Sequence, residues 1–342
     1  MTQISLVLPF ALPPPELAPD LVRALDVPSL ASLITRTSSF QPVPFEGPLR
    51  MLPHELWLAR AISLDASDRP ALAAQAMLGY RLDPGDGNWL IVHPSHIEIA
   101  RSHMLMADLR TLDLEERHSR MLFDAAKPYF DEAGKTLLYG DAHTWFMRAD
   151  SWTGLDTSTP DAAAGMNLSD WLPRGDKSIE YRKLQNEVQM LWFQNPANSE
   201  REARGQRAIN AFWPWGCASA HEAIPATAPL LAATDAPGWL SSLAQLRNPA
   251  LAELLASSDG DALHLCDSLT QAAIGADWAA WLAQMKRLDK TVFAPALAAV
   301  REGRIKKLRL VLSHRDRHIE FTTTKLAQNM FWRRPSLDRL LP

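Results

Sequence analysis

The chain has 342 residues, a formal charge of −4 at pH 7 and 47% hydrophobic residues. This hydrophobic share lies near the globular norm of ~45–50%, which excludes a disordered chain, and the length predicts about two domains or one large domain with an insertion. The two cysteines, Cys217 and Cys266, are too few for a zinc ribbon, an iron–sulfur cluster or a disulfide scaffold, and they indicate a reducing compartment.

No early segment predicts export or a membrane span. The longest apolar run near the N-terminus covers residues 4–12 and includes Ser5 and Pro9, whereas a spanning helix needs about 20 apolar residues. A secretory signal would also need a basic segment before the run and a small-residue cleavage site after it. We therefore expect a cytoplasmic protein without membrane contact.

The first part of the chain reads as strand, helices and a turn. Residues 4–10 predict a buried strand that ends at a proline cluster, and residues 17–35 predict a helix that restarts at Pro28. A further helix begins at Pro53. The run Asp-Pro-Gly-Asp-Gly-Asn at 83–88 is a strong turn cluster and predicts a crossing between two parts of the fold.

The pattern then changes to that of a compact α+β unit. Alternation of apolar and polar residues over 97–106 indicates strands. The run Asp-Leu-Glu-Glu at 113–116 has the pattern of a capping box that opens a helix, which should end near Pro128. Strands are expected at 136–139 and 143–149.

The last part predicts helices and a basic hairpin. A helix covers 184–192, residues 195–237 look irregular, and an apolar stripe over 278–288 predicts another helix. The strand at 307–312 should pair with 318–323 and should share one sheet with the strand at 4–8. The second crossing between the two parts of the fold is expected in the loop around 195–210.

The charge is concentrated at the C-terminus. Residues 301–342 have a net charge of +7, so residues 1–300 have −11. The segment Phe331-Trp332-Arg333-Arg334 could stack on bases and bind nucleic acid. The acidic charge of the whole chain argues against that hypothesis, and we favour a C-terminal segment that docks on the protein through Phe331 and Trp332.

Common catalytic motifs are absent from the sequence. There is no Gly-x-Ser-x-Gly elbow and no Walker loop. The histidines at 93 and 96 lack acidic or cysteine partners at ligand spacing, so we give them structural roles. Cys217 and His221 could act as nucleophile and base, although a buried small thiol is the more ordinary role. His314 and Asp316 lie in a charged turn after a strand, where sites of α/β folds occur.

The segment 195–216 is the most unusual stretch, because it concentrates amides, arginines and tryptophans. It is similar to a motif of the archaeal-type cofactor-independent phosphoglycerate mutases, which belong to the alkaline phosphatase superfamily. More closely, the whole chain resembles the bacterial RpfE-type regulatory proteins, through segments such as 186–190 and 331–334. The residues in register with the mutase motif are Asn198, Arg201, Gly205, Asn210, Trp213, Trp215 and Gly216.

The departures from the mutase pattern concern its catalytic residues. The resemblance implies two metal ions and a serine nucleophile, yet the first strand ends Leu-Pro-Phe-Ala at 8–11 without the expected aspartate. Asp267 is not followed by the required histidine, and His314 and Asp316 are a loose echo of the last metal motif. His143 is followed by threonine where the family has a substrate-binding arginine. We therefore expect no bound metal pair, with Asp267, His314 and Asp316 as residual candidates.

These observations predict an α/β fold, with an alkaline-phosphatase-like core formed by 1–84 plus 206–342 and an inserted α+β subdomain at 85–205. The favoured function is a non-catalytic regulatory or ligand-binding protein without a cofactor. An active phosphoglycerate mutase or related phosphotransferase with a rearranged site, and a nucleic-acid-binding regulator, remain alternatives. Expected partners are a small phosphorylated or carboxylate ligand and a protein. The candidate ligand-binding residues are His143, Asn198, Arg201, Arg204, Asn210, Trp213 and Trp215.

Overall fold

The computed structural model describes residues 3–45, 50–62, 72–100, 103–219, 229–257 and 260–342. Thirteen strands lie in these ranges. In chain order they are β1 (Gln3–Leu8), β2 (Ser39–Pro44), β3 (Asn88–Ser95), β4 (Ile97–Ala100), β5 (His103–Met106), β6 (Leu137–Asp141), β7 (Thr144–Arg148), β8 (Ala211–Ser219), β9 (Leu230–Thr234), β10 (Leu246–Arg247), β11 (Ala262–Cys266), β12 (Lys307–Ser313) and β13 (Arg317–Thr323).

The helices surround two main sheets. Short 3-10 turns lie at Leu109–Thr111, Asp150–Trp152, Leu168–Asp170 and Asp338–Leu340, and a π-helical turn lies at Asp289–Phe293. The α-helices are α1 (Ala18–Ala24), α2 (Pro28–Thr35), α3 (Pro53–Ala61), α4 (Ala73–Gly79), α5 (Glu116–Glu132), α6 (Pro160–Ala163), α7 (Ser178–Phe193), α8 (Pro196–Ala203), α9 (Gly238–Ser241), α10 (Leu251–Ser257), α11 (Thr270–Ile274), α12 (Trp278–Leu288), α13 (Ala294–Glu302) and α14 (Lys325–Gln328). None of the described helices combines the length and the apolar character that a bilayer crossing requires.

The larger sheet has the order β10-β9-β11-β1-β12-β13-β2. Its first five strands run parallel, β13 pairs antiparallel with β12, and β2 pairs antiparallel with β13. The predicted sharing of one sheet by the first strand and the basic strand is confirmed, because Gln3 to Leu8 pair in register with Lys307 to Leu312. We call this sheet with its helices the core lobe.

The second sheet is antiparallel, in the order β6-β7-β3-β8. Helices α5 and α7 cover one face of this sheet, and the other face packs against the core lobe. We call this unit the inserted lobe. The α/β class predicted from the sequence, a core sheet with an α+β insertion, is therefore confirmed.

The prediction that the chain crosses back at 195–210 is wrong. Residues 211–219 form β8, which pairs with β3 from Asn88↔Ser219 to Ser95↔Ala211, so the inserted lobe extends past residue 205. The strand was missed because Pro214 and Gly216 resemble loop residues. β8 is an edge strand, where proline is tolerated, and Gly216 has a φ of +71° at a bulge that glycine accommodates.

Two further predictions about local structure are wrong. Helix α5 begins at Glu116 with no side-chain cap, so Asp113 forms no capping box with it; Asp113 instead has a φ of +45°. The helix continues through Pro128 to Glu132. At the C-terminus, Phe331 and Trp332 are 79% and 67% exposed, so the segment does not dock through them. It is held by Arg339, which donates to the Ile34 carbonyl at 2.5 Å.

The hydrophobic core lies on both faces of the larger sheet, as alternation along β1 requires. Ile4, Leu6 and Leu8 face the helices of the core lobe. Val7 on the opposite face packs in a cluster with Trp213 of β8, so the two lobes share one continuous apolar contact. This contact fixes the inserted lobe over the sheet, next to the carboxyl ends of the parallel strands.

Candidate functional site

A cavity of about 320 Å³ lies between the core lobe and the inserted lobe. Its walls come from the end of β3, the turn between β6 and β7, the 3-10 turn at Leu109–Thr111, the start of α6 and the start of α9. We call it the interlobe cavity. It is lined by His93, Leu109, Arg110, Asp113, Asp141, His143, Thr144, Pro160, Asp161, Pro237, Gly238 and Trp239.

Arg110 connects three carboxylates at the edge of this cavity. Its Nη1 donates to Asp108 at 3.0 Å and to Asp161 at 2.8 Å, and its Nη2 donates to Asp161 at 2.7 Å and to Asp267 at 2.9 Å. Asp267 directly follows β11 in the core lobe, whereas Arg110 belongs to the inserted lobe. All four Nη hydrogens are thus engaged, and the cluster joins the two lobes.

The protonation of this cluster follows from its burial. Burial raises the pKa of Asp267 to about 6, although the Arg110 guanidinium opposes the shift. Burial also disfavours ionised Asp161, but Arg110 outweighs that effect and holds the pKa of Asp161 below its ordinary value. The guanidinium therefore offsets part of the negative charge of the three carboxylates that it joins.

Glu55 and His54 lie beneath the cluster and border a small void of about 20 Å³ together with Asp161 and Asp267. Burial raises the pKa of Glu55 to about 8, and its Oε2 accepts from the Leu52 amide at 2.6 Å and from the Thr159 hydroxyl at 2.8 Å. Burial lowers the pKa of His54 to about 4. Both side chains are therefore neutral at pH 7.

His93 presents an unpaired acceptor at the cavity. Its Nδ1 lies 2.6 Å from the carbonyl oxygen of His143, and because a carbonyl only accepts, Nδ1 must hold the hydrogen. Its Nε2 is buried with no hydrogen-bond partner, and burial lowers the pKa of the imidazole to about 4. The ring stacks on Trp215, which meets Trp239 edge-on with ring centroids 4.7 Å apart.

Asp141 is fixed at the contact between the lobes. Its carboxylate accepts from the Tyr80 hydroxyl and, at 2.9 Å, from the amide of His143. A Cβ placed on Gly238 would lie 2.3 Å from Asp141 Oδ2 and 2.7 Å from the Tyr80 oxygen. Glycine at 238 is therefore what lets the core lobe approach this carboxylate.

Of the sequence-predicted ligand residues, only His143 lines the interlobe cavity. Burial lowers the pKa of this imidazole. Arg204 forms an exposed ion pair with Glu115, with Nη1 2.8 Å from Oε1. Trp213 and Trp215 are fully buried in the contact between the lobes, behind the cavity wall.

Asn198, Arg201 and Asn210 hold the backbone of the inserted lobe. Asn198 donates to the carbonyls of Trp192 and Ile209. Asn210 exchanges two 2.8 Å hydrogen bonds with the backbone of residue 97. Arg201 is fully buried and donates to the carbonyls of residues 112, 113 and 207 at 2.5, 3.1 and 3.0 Å. Carbonyl partners are what a buried guanidinium needs, since an unpaired one costs several kcal/mol.

The residues do not fit the pair of metal ions that the family resemblance implies. Among the described residues, no group of three or more His, Cys, Asp or Glu side chains is placed to hold a metal ion. Asp267 is engaged by Arg110. His314 and Asp316 pair with each other in the hairpin turn, 3.1 Å apart. His221, suggested as a partner of Cys217, lies outside the described residues.

Sequence reasoning missed most of this site. The sequence pattern assigns no role to Arg110 or Asp161, a structural role to His93 and a helix cap to Asp113. Arg110 and Asp267 are 157 positions apart, so no spacing rule could have joined them.

Six solved chains are similar to this structure at a significant level. The PH0037 protein from Pyrococcus horikoshii is 11% identical, with a TM-score of 0.56, and the match covers 99% of this chain and 91% of that chain. A cofactor-independent phosphoglycerate mutase from Thermoplasma acidophilum is 14% identical, with a TM-score of 0.46, over 99% and 94% of the two chains. No protein-family model and no curated protein matches the sequence. At this identity, the likeness to PH0037 concerns the fold alone.

Proposed function

We propose that this chain is a non-catalytic, ligand-binding regulatory protein of the RpfE type, derived from a phosphoglycerate mutase-like fold, and that its ligand occupies the interlobe cavity. The observation that supports this most directly is the arginine–carboxylate cluster. Arg110 binds Asp108, Asp161 and Asp267 with all its Nη hydrogens, at the sheet edge where a phosphotransferase would need free ligands.

Near this edge, the Ser268 hydroxyl donates to Asp235 at 2.6 Å, but Arg287 also pairs with that carboxylate at 3.0 Å, and neither Ser268 nor Asp235 lines the interlobe cavity. Ser313 lies 3.1 Å from Nδ1 of His54, which resembles a nucleophile–base pair. Both side chains are buried, however, and the void that His54 borders has a volume of only about 20 Å³. A substrate cannot reach this hydroxyl, so the pair is structural.

The alternative, an active mutase or related phosphotransferase with a rearranged site, is tested by direct assay. The full chain is dialysed against manganese or zinc, its metal content is measured, and conversion of 3-phosphoglycerate to 2-phosphoglycerate is followed. We expect no turnover above the rate without protein. Sustained turnover by the wild type would refute the non-catalytic proposal and would support the enzymatic alternative.

Ligand binding is tested with a defined library of phosphorylated, carboxylate, amine and neutral metabolites. Retention by the full chain is measured by equilibrium dialysis and mass spectrometry. The cavity-blocking variant is Gly238→Leu, and the matched control is Gly154→Leu, because a Cβ on Gly154 meets nothing within 4 Å. Circular dichroism is used to check that both variants fold, because a side chain at 238 also meets Asp141 and Tyr80. At least one compound should be retained by the wild type and the control but not by Gly238→Leu; retention of none would refute the proposal.

A nucleic-acid-binding regulator is a second candidate, supported by the exposed aromatic pair at the C-terminus. Phe331 and Trp332 meet edge-on with ring centroids 5.3 Å apart, and exposed Arg334 follows them. Aromatic faces beside arginines can stack on single-stranded bases. Fluorescence anisotropy with single-stranded RNA and DNA at two salt concentrations tests it. Salt-sensitive binding that Trp332→Ala abolishes would support this function, and binding that is unchanged in Trp332→Ala would exclude it.

A further inference from the structure

This inference rests on the proposed function and concerns the chemistry of the ligand. We infer that the interlobe cavity binds a small organic molecule with an ammonium group, and that it excludes phosphates and carboxylates. The sequence favoured the opposite class, a phosphorylated or carboxylate ligand. The charges and hydrogen-bonding groups that line the cavity favour the ammonium.

The charge of the lining is negative. Three aspartates, at positions 113, 141 and 161, line the cavity, and Arg110 is the single lining cation among the described residues if the histidines are neutral. Burial lowers the pKa values of both His93 and His143, which keeps them neutral. Because Arg110 already binds three carboxylates, it has no Nη hydrogen left for an anionic ligand.

The nearby arginines outside the lining do not neutralise the negative charge of the cavity. Arg201 directs its guanidinium at three backbone carbonyls. Arg315 donates to the carbonyls of residues 161, 162 and 164 at 3.2, 3.0 and 2.7 Å. Neither side chain lines the cavity. The guanidinium donor of the lining that has no partner is the buried Nε of Arg110, whose charge is already shared among three carboxylates.

His93 supplies a second, independent indication. This side chain is 98% buried, since its exposure is 2%, and its Nε2 lone pair has no partner. An acceptor in this position attracts an N–H donor and repels the oxygens of a phosphate or carboxylate. A buried acceptor without a donor is costly, so a ligand N–H that pairs with Nε2 would relieve that cost.

The remaining walls fit the carbon part of such a ligand. Leu109, Pro160 and Pro237 form apolar surface. Trp239 also lines the cavity, and an indole can contact an organic cation. A volume of about 320 Å³ is at the lower end for ligand sites, which suits a metabolite-sized amine. A bare metal ion fits less well, since no metal-binding group of three side chains occurs in the described residues.

The test uses probes that share a four-carbon chain and differ in their end groups. Putrescine has two ammonium groups, 1,4-butanediol has two hydroxyls and succinate has two carboxylates; inorganic phosphate is the fourth probe. Binding to the full chain is measured by isothermal titration calorimetry at neutral pH. Putrescine should bind, and succinate and phosphate should give no heat of binding. Binding of succinate or phosphate, or no binding of putrescine, would overturn the inference.

Variants of the lining carboxylates locate the binding. Asp113→Asn and Asp141→Asn should each weaken putrescine binding about tenfold or more, because each removes a charged acceptor. Asp141 accepts a hydrogen bond from Tyr80, so Asp141→Asn can also affect folding. Asp113 is exposed, so Asp113→Asn should fold and tests the binding without that effect. Asp124→Asn, an exposed position on α5 outside the cavity lining, is the charge-matched control. Equal binding by all three variants would show that putrescine binds elsewhere and would refute the assignment.

The ligand-class inference and the proposed function can fail separately. If library compounds are retained in a Gly238-dependent manner but all are anions, the ligand class is wrong and the ligand-binding function stands. If no library compound is retained and putrescine gives no heat, both are wrong.

Discussion

Replacement of the buried Glu55 by glutamine should stabilise the protein at alkaline pH. The pKa of this carboxyl is raised to about 8, first by burial and then by the charge of Asp161. Its Oε2 accepts from the Leu52 amide and the Thr159 hydroxyl, and the carbonyl oxygen of a glutamine can accept the same two bonds. Glu55→Gln therefore keeps the hydrogen bonds and removes the ionisation.

The sign and size follow from the two pKa values. In the unfolded chain the carboxyl titrates near its ordinary 4.5, and in the folded chain at about 8. Between these values the unfolded state releases the proton first, so the wild type loses stability as the pH rises from 4.5 to 8. At about 1.4 kcal/mol per pKa unit, the loss reaches about 5 kcal/mol above pH 8 and is absent near pH 4.

The measurement is the free energy of unfolding by urea at acidic, neutral and alkaline pH, for wild type and Glu55→Gln. The difference between them should be small at pH 5 and should grow through pH 7 towards about 5 kcal/mol at pH 9. The lowered pKa of His54 acts in both proteins and cancels in the difference. The charge of Asp267 contributes to the raised pKa of Glu55, so their coupling is part of the measured difference. Glu132→Gln, at an exposed position, is the control. A pH-independent difference, or a loss of stability at pH 9, would refute the reasoning.

Three further substitutions test contacts between and within the lobes by urea unfolding. Arg110→Met should lower the free energy of unfolding by about 3–5 kcal/mol at neutral pH, because it leaves buried carboxylates unpaired. This loss should shrink in acid, where the carboxylates are protonated. A loss that does not change with pH would contradict the reasoning. Gly238→Ala should destabilise the protein by displacing Asp141 or Tyr80, whereas Gly154→Ala should have little effect; equal effects would show that the close approach is unimportant. Arg201→Lys should cost at least about 1 kcal/mol, since a single ammonium cannot reach all three carbonyls; a neutral result would mean that these bonds contribute nothing.

The sheet strands with regular alternation could be predicted from the sequence, and those with special backbone could not. β12 and β13 alternate apolar and charged residues, because each has one buried and one partly solvated face. β8 is buried on both faces and contains Pro214 and Gly216, so neither periodicity nor propensity marks it as a strand. Only its position at the sheet edge and its bulge make those residues acceptable.

The composition of the segment 195–216 marks it as unusual, but the sequence does not predict what its polar side chains bind. Asn198, Arg201 and Asn210 have the donors that a ligand site needs, and their donors are directed at backbone carbonyls instead. Whether a polar side chain serves a ligand or the backbone depends on which carbonyls the fold leaves unpaired nearby. The positions of unpaired carbonyls are a property of the tertiary structure, and they cannot be predicted from a single sequence.

The arginine cluster places a cation among three carboxylates beside the interlobe cavity. Carboxylates at the carboxyl ends of parallel strands, such as Asp267, repel one another unless a cation lies between them. A metal ion would supply that charge together with open coordination positions for a substrate. Arg110 supplies the charge through four hydrogen bonds, and nearby carboxylates raise its pKa further, so it remains protonated and cannot exchange a proton or accept a lone pair. The cluster therefore holds the two lobes together, and in the proposed function the ligand binds in the cavity beside it.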